Sequence, residues 1–135
     1  IDTGKVQLEF VDYPLDRLAV IAATLARSIP TKDGYLEAVS ILLKKQKQWA
    51  YSKNPLNELQ SIAKLFGISS KKFNDISQNI PLMQEIVTKM EKESKNFDIN
   101  STPTFIVNDK YKISGALSFK DFEKELLKSI NEKKS

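Results

Sequence analysis

Polar and apolar residues alternate strictly over Lys5-Val6-Gln7-Leu8-Glu9-Phe10, which puts Val6, Leu8 and Phe10 on one face and Lys5, Gln7 and Glu9 on the other. A period of two predicts a strand with one wet face, extended by Val11 to Asp12 and closed by Pro14. The period then changes. Over residues 15–29, Leu15, Leu18, Ala22, Leu25 and Ile29 fall on one stripe while Val20, Ile21 and Ala23 occupy other faces, predicting a helix that is buried nearly all round and ended by Pro30. A loop is expected over residues 31–34. The next helix, residues 35–50, would turn Leu36, Val39, Leu42 and Leu43 inward and its lysines outward, with Trp49 as a packing residue. Asn54 and Pro55 are a good N-cap and first helical residue for a helix over 56–66, and Gly67 suits the left-handed position after it, with Ile68 making the accompanying apolar contact.

Ser69 or Ser70 caps a short helix through Phe73 and Ile76. From Pro81 a longer helix should reach about residue 97, with Leu82, Ile86 and Met90 inward and Glu85/Lys89 and Glu91/Lys95 as four-apart pairs. A polar corner, Asn100-Ser101-Thr102-Pro103, then feeds the run Thr104-Phe105-Ile106-Val107. That run has no polar alternation, so it reads as a strand buried on both faces and opened by Pro103. An Asn108-Asp109-Lys110 turn, a second strand over 111–114 and Gly115 make a hairpin. Ser118 and Asp121 start a last helix whose buried stripe would be Phe119, Phe122, Leu126 and Ile130, fraying from Lys133.

Composition narrows the function classes. The 135 residues are 41% hydrophobic and 28% charged, which describes one globular domain rather than a disordered chain. The net charge of +4 invites a nucleic-acid reading, but 17 acidic residues are interleaved with the 21 basic ones. The densest basic cluster, Lys44-Lys45-Gln46-Lys47, reads as a solvated helix face rather than an interaction patch. No nucleic-acid partner and no stable membrane insertion are expected, since no stretch has the length of a transmembrane helix. No signal peptide is visible, and a first residue Ile1 in place of Met implies that the natural start lies elsewhere. Cysteine and histidine are both absent, which removes thiol nucleophiles, imidazole bases and the usual zinc sites from these residues.

Thr102-Pro103-Thr104-Phe105, followed by the Asn108-Asp109 turn, a strand and a helix, resembles the cis-proline segment of the thioredoxin superfamily, and more closely that of bacterial DsbA-type thiol:disulfide oxidoreductases. Asp2-Thr3-Gly4-Lys5-Val6 and Asp12-Tyr13-Pro14-Leu15-Asp16 are similar to that family's strand after its first helix. The resemblance implies an α/β, thioredoxin-like fold with a DsbA-type helical insertion over about residues 15–97. In the family the central strand and the active-site helix, with its Cys-x-x-Cys, lie upstream of this strand. The chain over residues 1–135 would then be a single but N-terminally incomplete domain, and its strand segments would lack their central partner.

What the family implies for the residues is limited. The cis-proline loop lies against the reactive sulfurs and pairs with an extended substrate segment, so Thr102 and Pro103 are the substrate-binding positions, with a cis bond expected between them. No catalytic, cofactor-binding or metal-binding residue is expected within this chain, and no cofactor is called for. Some family members carry a second cysteine pair roughly where Ser28 and Ile76 stand; here that region would rely on packing. The implied activity is formation or exchange of disulfides in unfolded or partly folded secreted proteins, with a redox partner protein, in the periplasm or cell envelope. A redox-inactive thioredoxin-like binding or chaperone module is the alternative.

Overall fold

The computed structural model describes the backbone of residues 4–134 and the side chains through residue 131. The chain divides into two compact units, Ile1–Met90 and Glu91–Ser135. The first is helical: α1 (Arg17–Arg27), α2 (Lys32–Lys44), α3 (Gln46–Ala50), α4 (Pro55–Lys64), α5 (Ser70–Ile76) and most of α6 (Ile80–Phe97). The second holds the end of α6, then β1 (Thr104–Val107), β2 (Tyr111–Ser114) and α7 (Phe119–Lys134).

The core of the first unit follows the expected stripes in part. Ala22, Leu25 and Leu42 are buried as expected, and Leu18, Ile29, Leu36 and Val39 are only partly buried. Ile21, Ala26, Tyr35 and Ala38 are buried although the stripes did not place them inward. Ile21, Ala22, Leu25 and Ala26 of α1 pack with Tyr35, Ala38 and Leu42 of α2, Leu59, Ile62 and Ala63 of α4, and Phe73 and Ile76 of α5. Leu25 and Leu59 are essentially solvent-free, so truncating either to Ala should cost about 2–5 kcal/mol. Thr24 is equally buried and is tolerated because its hydroxyl donates to the Val20 carbonyl at 2.7 Å. Among the described residues no buried side-chain polar atom is without a partner. Helix α1, capped at its end by Ser28, and helix α5, which ends at Ile76, pack on each other.

Capping sets the helix boundaries and corrects several sequence expectations. Asp16 is the N-cap of α1, accepting from the Ala19 amide at 2.8 Å, so Leu15 lies before the helix and is 81% exposed instead of joining the buried stripe. The expected loop over 31–34 is already the first turn of α2: Thr31 caps it, accepting from the Gly34 amide at 3.0 Å. The helix expected over 35–50 breaks at Lys45, where φ is −100° and ψ is 13°. The break frees the Leu42 carbonyl to accept from the Trp49 indole at 2.9 Å, which holds Trp49 in the core. Leu43, expected inward, is exposed.

The end of α4 has the reading expected of it. Gly67 has φ 74°, its amide bonds the Lys64 carbonyl at 3.0 Å, and the Ile68 amide reaches back to the Ala63 carbonyl at 3.2 Å. This pair of bonds is the Schellman arrangement, with Ile68 buried beside it. On α6, Lys89 pairs with Glu9 and not with Glu85 as the four-apart spacing suggested.

The alternating segment over 5–10 does not form a strand. Residues 6–15 take no regular secondary structure, and Val6, Leu8, Phe10 and Val11 are all exposed. The physical reason is that alternation selects which face a strand would bury, but a strand exists only when a neighbour accepts its backbone groups.

In the second unit β1 and β2 pair antiparallel in the register Thr104↔Ser114 to Val107↔Tyr111. Asn108 and Asp109 have φ 55° and 58°, the left-handed pair a tight hairpin turn requires. β1 is half-buried throughout, not buried on both faces, because the sheet has two strands. Phe122 of α7 meets Phe105 edge-on at 4.8 Å, and Ser118 caps α7 by accepting from the Asp121 amide at 3.2 Å. The inward stripe of α7 runs through Phe122, Leu126 and the buried Ser129, while Phe119 and Ile130 are exposed. Phe119 is the first helical residue, at the rim, so helical periodicity gives it nothing to pack on.

Candidate functional site

The Thr102-Pro103 corner is assembled by local bonds. At the end of α6, Asp98 has φ 51° and the Ile99 amide turns back to the Ser94 carbonyl at 3.0 Å, which stops the helix and redirects the chain. The Lys112 ammonium of β2 donates to the Asp98 carbonyl at 3.0 Å. Further along, the Thr104 hydroxyl donates to the Ser101 carbonyl at 2.7 Å, closing the corner around the two candidate residues. The Thr102–Pro103 peptide bond is cis.

Both candidate residues are exposed. The Pro103 carbonyl is occupied, accepting from the Gly115 amide at 2.9 Å, and its nitrogen carries no hydrogen. Gly115 has φ 94°, a conformation that an L side chain would resist, and it lets the amide turn toward Pro103. Among the described residues no hydrogen bond engages the Thr102 amide or carbonyl. An exposed backbone pair beside a fixed corner can dock an extended peptide by main-chain bonds.

A second constellation, in the first unit, has no local spacing to announce it. Asp12 accepts from the Arg27 guanidinium at 2.6 Å and from the Tyr35 hydroxyl at 2.7 Å, using one carboxylate oxygen for each. Arg27 also donates to the Phe10 carbonyl at 2.7 Å and lies 4.0 Å over the Tyr35 ring. Burial first, and then the bond to Asp12, push the Tyr35 phenol well above its ordinary pKa. The cluster borders a cavity of about 460 Å³ whose wall includes Phe10, Val11, Leu82 and Ile86. Its polar groups satisfy one another, so it acts as a clamp that fastens the segment before α1 onto α1 and α2. Among the described residues no group of acidic side chains is arranged to hold a metal ion.

Residues 1–128 match a family model described as thioredoxin, and the chain belongs to that family. It is 26% identical over 108 residues to a provisionally named protein-disulfide oxidoreductase of Rickettsia typhi, an alignment covering 80% of this chain and 40% of that protein. Similarly named proteins of Rickettsia conorii and Rickettsia prowazekii are 27% and 25% identical over the same length, covering 39% and 40% of themselves. The alignment thus spans about two fifths of the curated relatives' length. No solved structure matches the chain significantly. The fold seen is mixed α/β and largely helical, with a small open two-stranded sheet, consistent with a reduced thioredoxin-like topology.

Proposed function

We propose that this chain is the peptide-docking part of a DsbA-type protein thiol:disulfide oxidoreductase, with its helical insertion over about residues 15–97. Thr102 and Pro103 contact an extended segment of an unfolded or partly folded protein, and the reactive Cys-x-x-Cys is supplied from outside residues 1–135. The observation that carries this reading is the exposed Thr102 backbone, free of internal partners and fixed between the Ser101–Thr104 and Pro103–Gly115 bonds. Family membership and the names of the Rickettsia relatives support it. By the same resemblance the whole protein works in the periplasm or cell envelope with a redox partner protein. Among the described residues no helix is long and apolar enough to cross a membrane.

The absence of any cysteine favours a second reading, a redox-inactive thioredoxin-like binding or chaperone module. Thiol exchange needs a thiolate, so these residues cannot perform it unaided. One experiment separates the two. The encoded protein that contains this sequence is expressed whole and challenged with a reduced model substrate. Catalysed oxidation, with mixed disulfides trapped near the Thr102 corner, supports the oxidoreductase. Suppressed aggregation of the substrate without thiol chemistry supports the binding module.

A further inference from the structure

The break at Lys45 joins the outward sides of α2 and α3 into one surface of the first unit. Leu42 and Trp49, the buried residues on either side of the break, share the indole-to-carbonyl bond at 2.9 Å, which fixes both inner faces toward the same core. Helical spacing of about 100° per residue then sets Lys44 opposite Leu42, and Lys47 and Tyr51 opposite Trp49. Leu43 flanks them at 65% exposure, and Tyr51 is 84% exposed. Lys45, at the break, and Lys53, in the loop before α4, are exposed as well.

The charge on this surface has one sign. No acidic residue occurs between Glu37 and Glu58, and Glu58 already accepts from Gln48 at 3.1 Å. Among the described residues none of the four lysines has an ion-pair partner. Such a cluster attracts an anionic partner, and the side chains beside it decide which. Exposed leucine and tyrosine among lysines suit the boundary between lipid headgroups and acyl chains, where tyrosine is enriched and ammonium groups reach the phosphates. A nucleic acid is a poorer match. The surface has no arginine for base edges and a single exposed aromatic ring, where stacking of successive bases uses several.

We infer that Leu43, Lys44, Lys45, Lys47, Tyr51 and Lys53 form a peripheral docking surface for an anionic lipid bilayer. The lysines lie against the headgroup phosphates while Leu43 and Tyr51 enter the headgroup–acyl boundary, an arrangement in which no segment spans the bilayer. The contact is reversible, because the attraction of each lysine falls off within a Debye length of about 8–10 Å and weakens with salt. This inference does not rest on the role given to Thr102 and Pro103.

The test is vesicle co-sedimentation of the encoded protein that contains this sequence, with circular dichroism confirming that each variant keeps its helices. The vesicles are phosphatidylcholine alone, or phosphatidylcholine with about one third phosphatidylglycerol. The wild type is expected to bind the anionic vesicles, to leave them as salt rises, and to ignore the neutral ones. Lys44→Ala and Lys47→Ala should each weaken partitioning about fivefold. Leu43→Ser and Tyr51→Ser should weaken it too while keeping its salt dependence, the mark of an apolar contribution. A wild type with no preference for anionic vesicles would overturn the inference. So would binding that neither lysine substitution changes, binding indifferent to both Leu43→Ser and Tyr51→Ser, or equal binding to duplex DNA.

Discussion

The Tyr35 hydroxyl donates to Asp12 at 2.7 Å, joining α2 to a segment that precedes α1 by hydrogen bonding rather than by any secondary-structure ladder. Arg27 completes the joint by pairing with the other Asp12 oxygen. Tyr35→Phe keeps the ring under the guanidinium and deletes the hydroxyl alone. It should cost about 1 kcal/mol in urea unfolding, the usual net worth of such a bond.

The same residue makes a pH prediction. Because burial and Asp12 raise its folded pKa above the ordinary 10.0, the neutral phenol is the form the fold prefers. That contribution is fully present below pH 10, and it is lost as pH rises from there toward the folded value. The wild-type urea midpoint should therefore fall more steeply above pH 10 than that of Tyr35→Phe. Parallel declines in the two proteins would show that Tyr35 does not couple to folding.

Gly34 lies in the first turn of α2, where an added Cβ would sit 2.5 Å from Ile29 Cγ2 and 2.6 Å from the Thr31 hydroxyl. Helix propensity alone says Gly34→Ala should stabilise by nearly 1 kcal/mol. Here the methyl displaces the cap that Thr31 supplies to the Gly34 amide, a loss of about 0.5–2 kcal/mol, and adds overpacking. The expected outcome is net destabilisation of about 1 kcal/mol with an unchanged denaturant slope.

Helix caps and glycine positions explain how much of this fold could be read from the chain. Gly67 and Ile68, Ser69, Ser118 and the Asn108-Asp109 turn act through bonds to residues within five positions, so their chemistry is local and legible. The segment around Leu8 and the half-burial of Phe105 depend on whether a neighbouring strand is present, which no local pattern encodes. The Asp12, Arg27 and Tyr35 joint spans 15 and 23 residues. At such separations no local pattern in the sequence singles these three residues out. For Thr102 and Pro103, the family resemblance named the positions as candidates, while the exposure of Thr102 and the lack of a hydrogen-bond partner for its backbone among the described residues emerged from the structure.

Phe105 and Phe122 meet edge-on at 4.8 Å with an interplanar angle of 65°, which ties the hairpin to α7. A double-mutant cycle with Phe105→Leu and Phe122→Leu should return a coupling of about 0.5–1.5 kcal/mol. Additive effects would show that the rings share area without interacting.

Amide exchange should rank the segments by what surrounds them. Leu25, Ala26, Leu59 and Ala63 lie in helices whose buried faces pack on one another, so their amides should open only with global unfolding. The amides of residues 5–9 have no acceptor among the described residues and should exchange near the unprotected rate. The hairpin should fall between these limits. Its ladder has two strands and Ile113 is its buried residue, an arrangement that is marginal without further packing. Phe122 supplies some of that packing to Phe105, so exchange at residues 105–107 should be slower than at 5–9 yet much faster than at Leu59. Protection at 105–107 equal to that of Leu59 would mean that the hairpin and the helical core unfold as one cooperative unit, and that the small sheet needs no further strand to stabilise it.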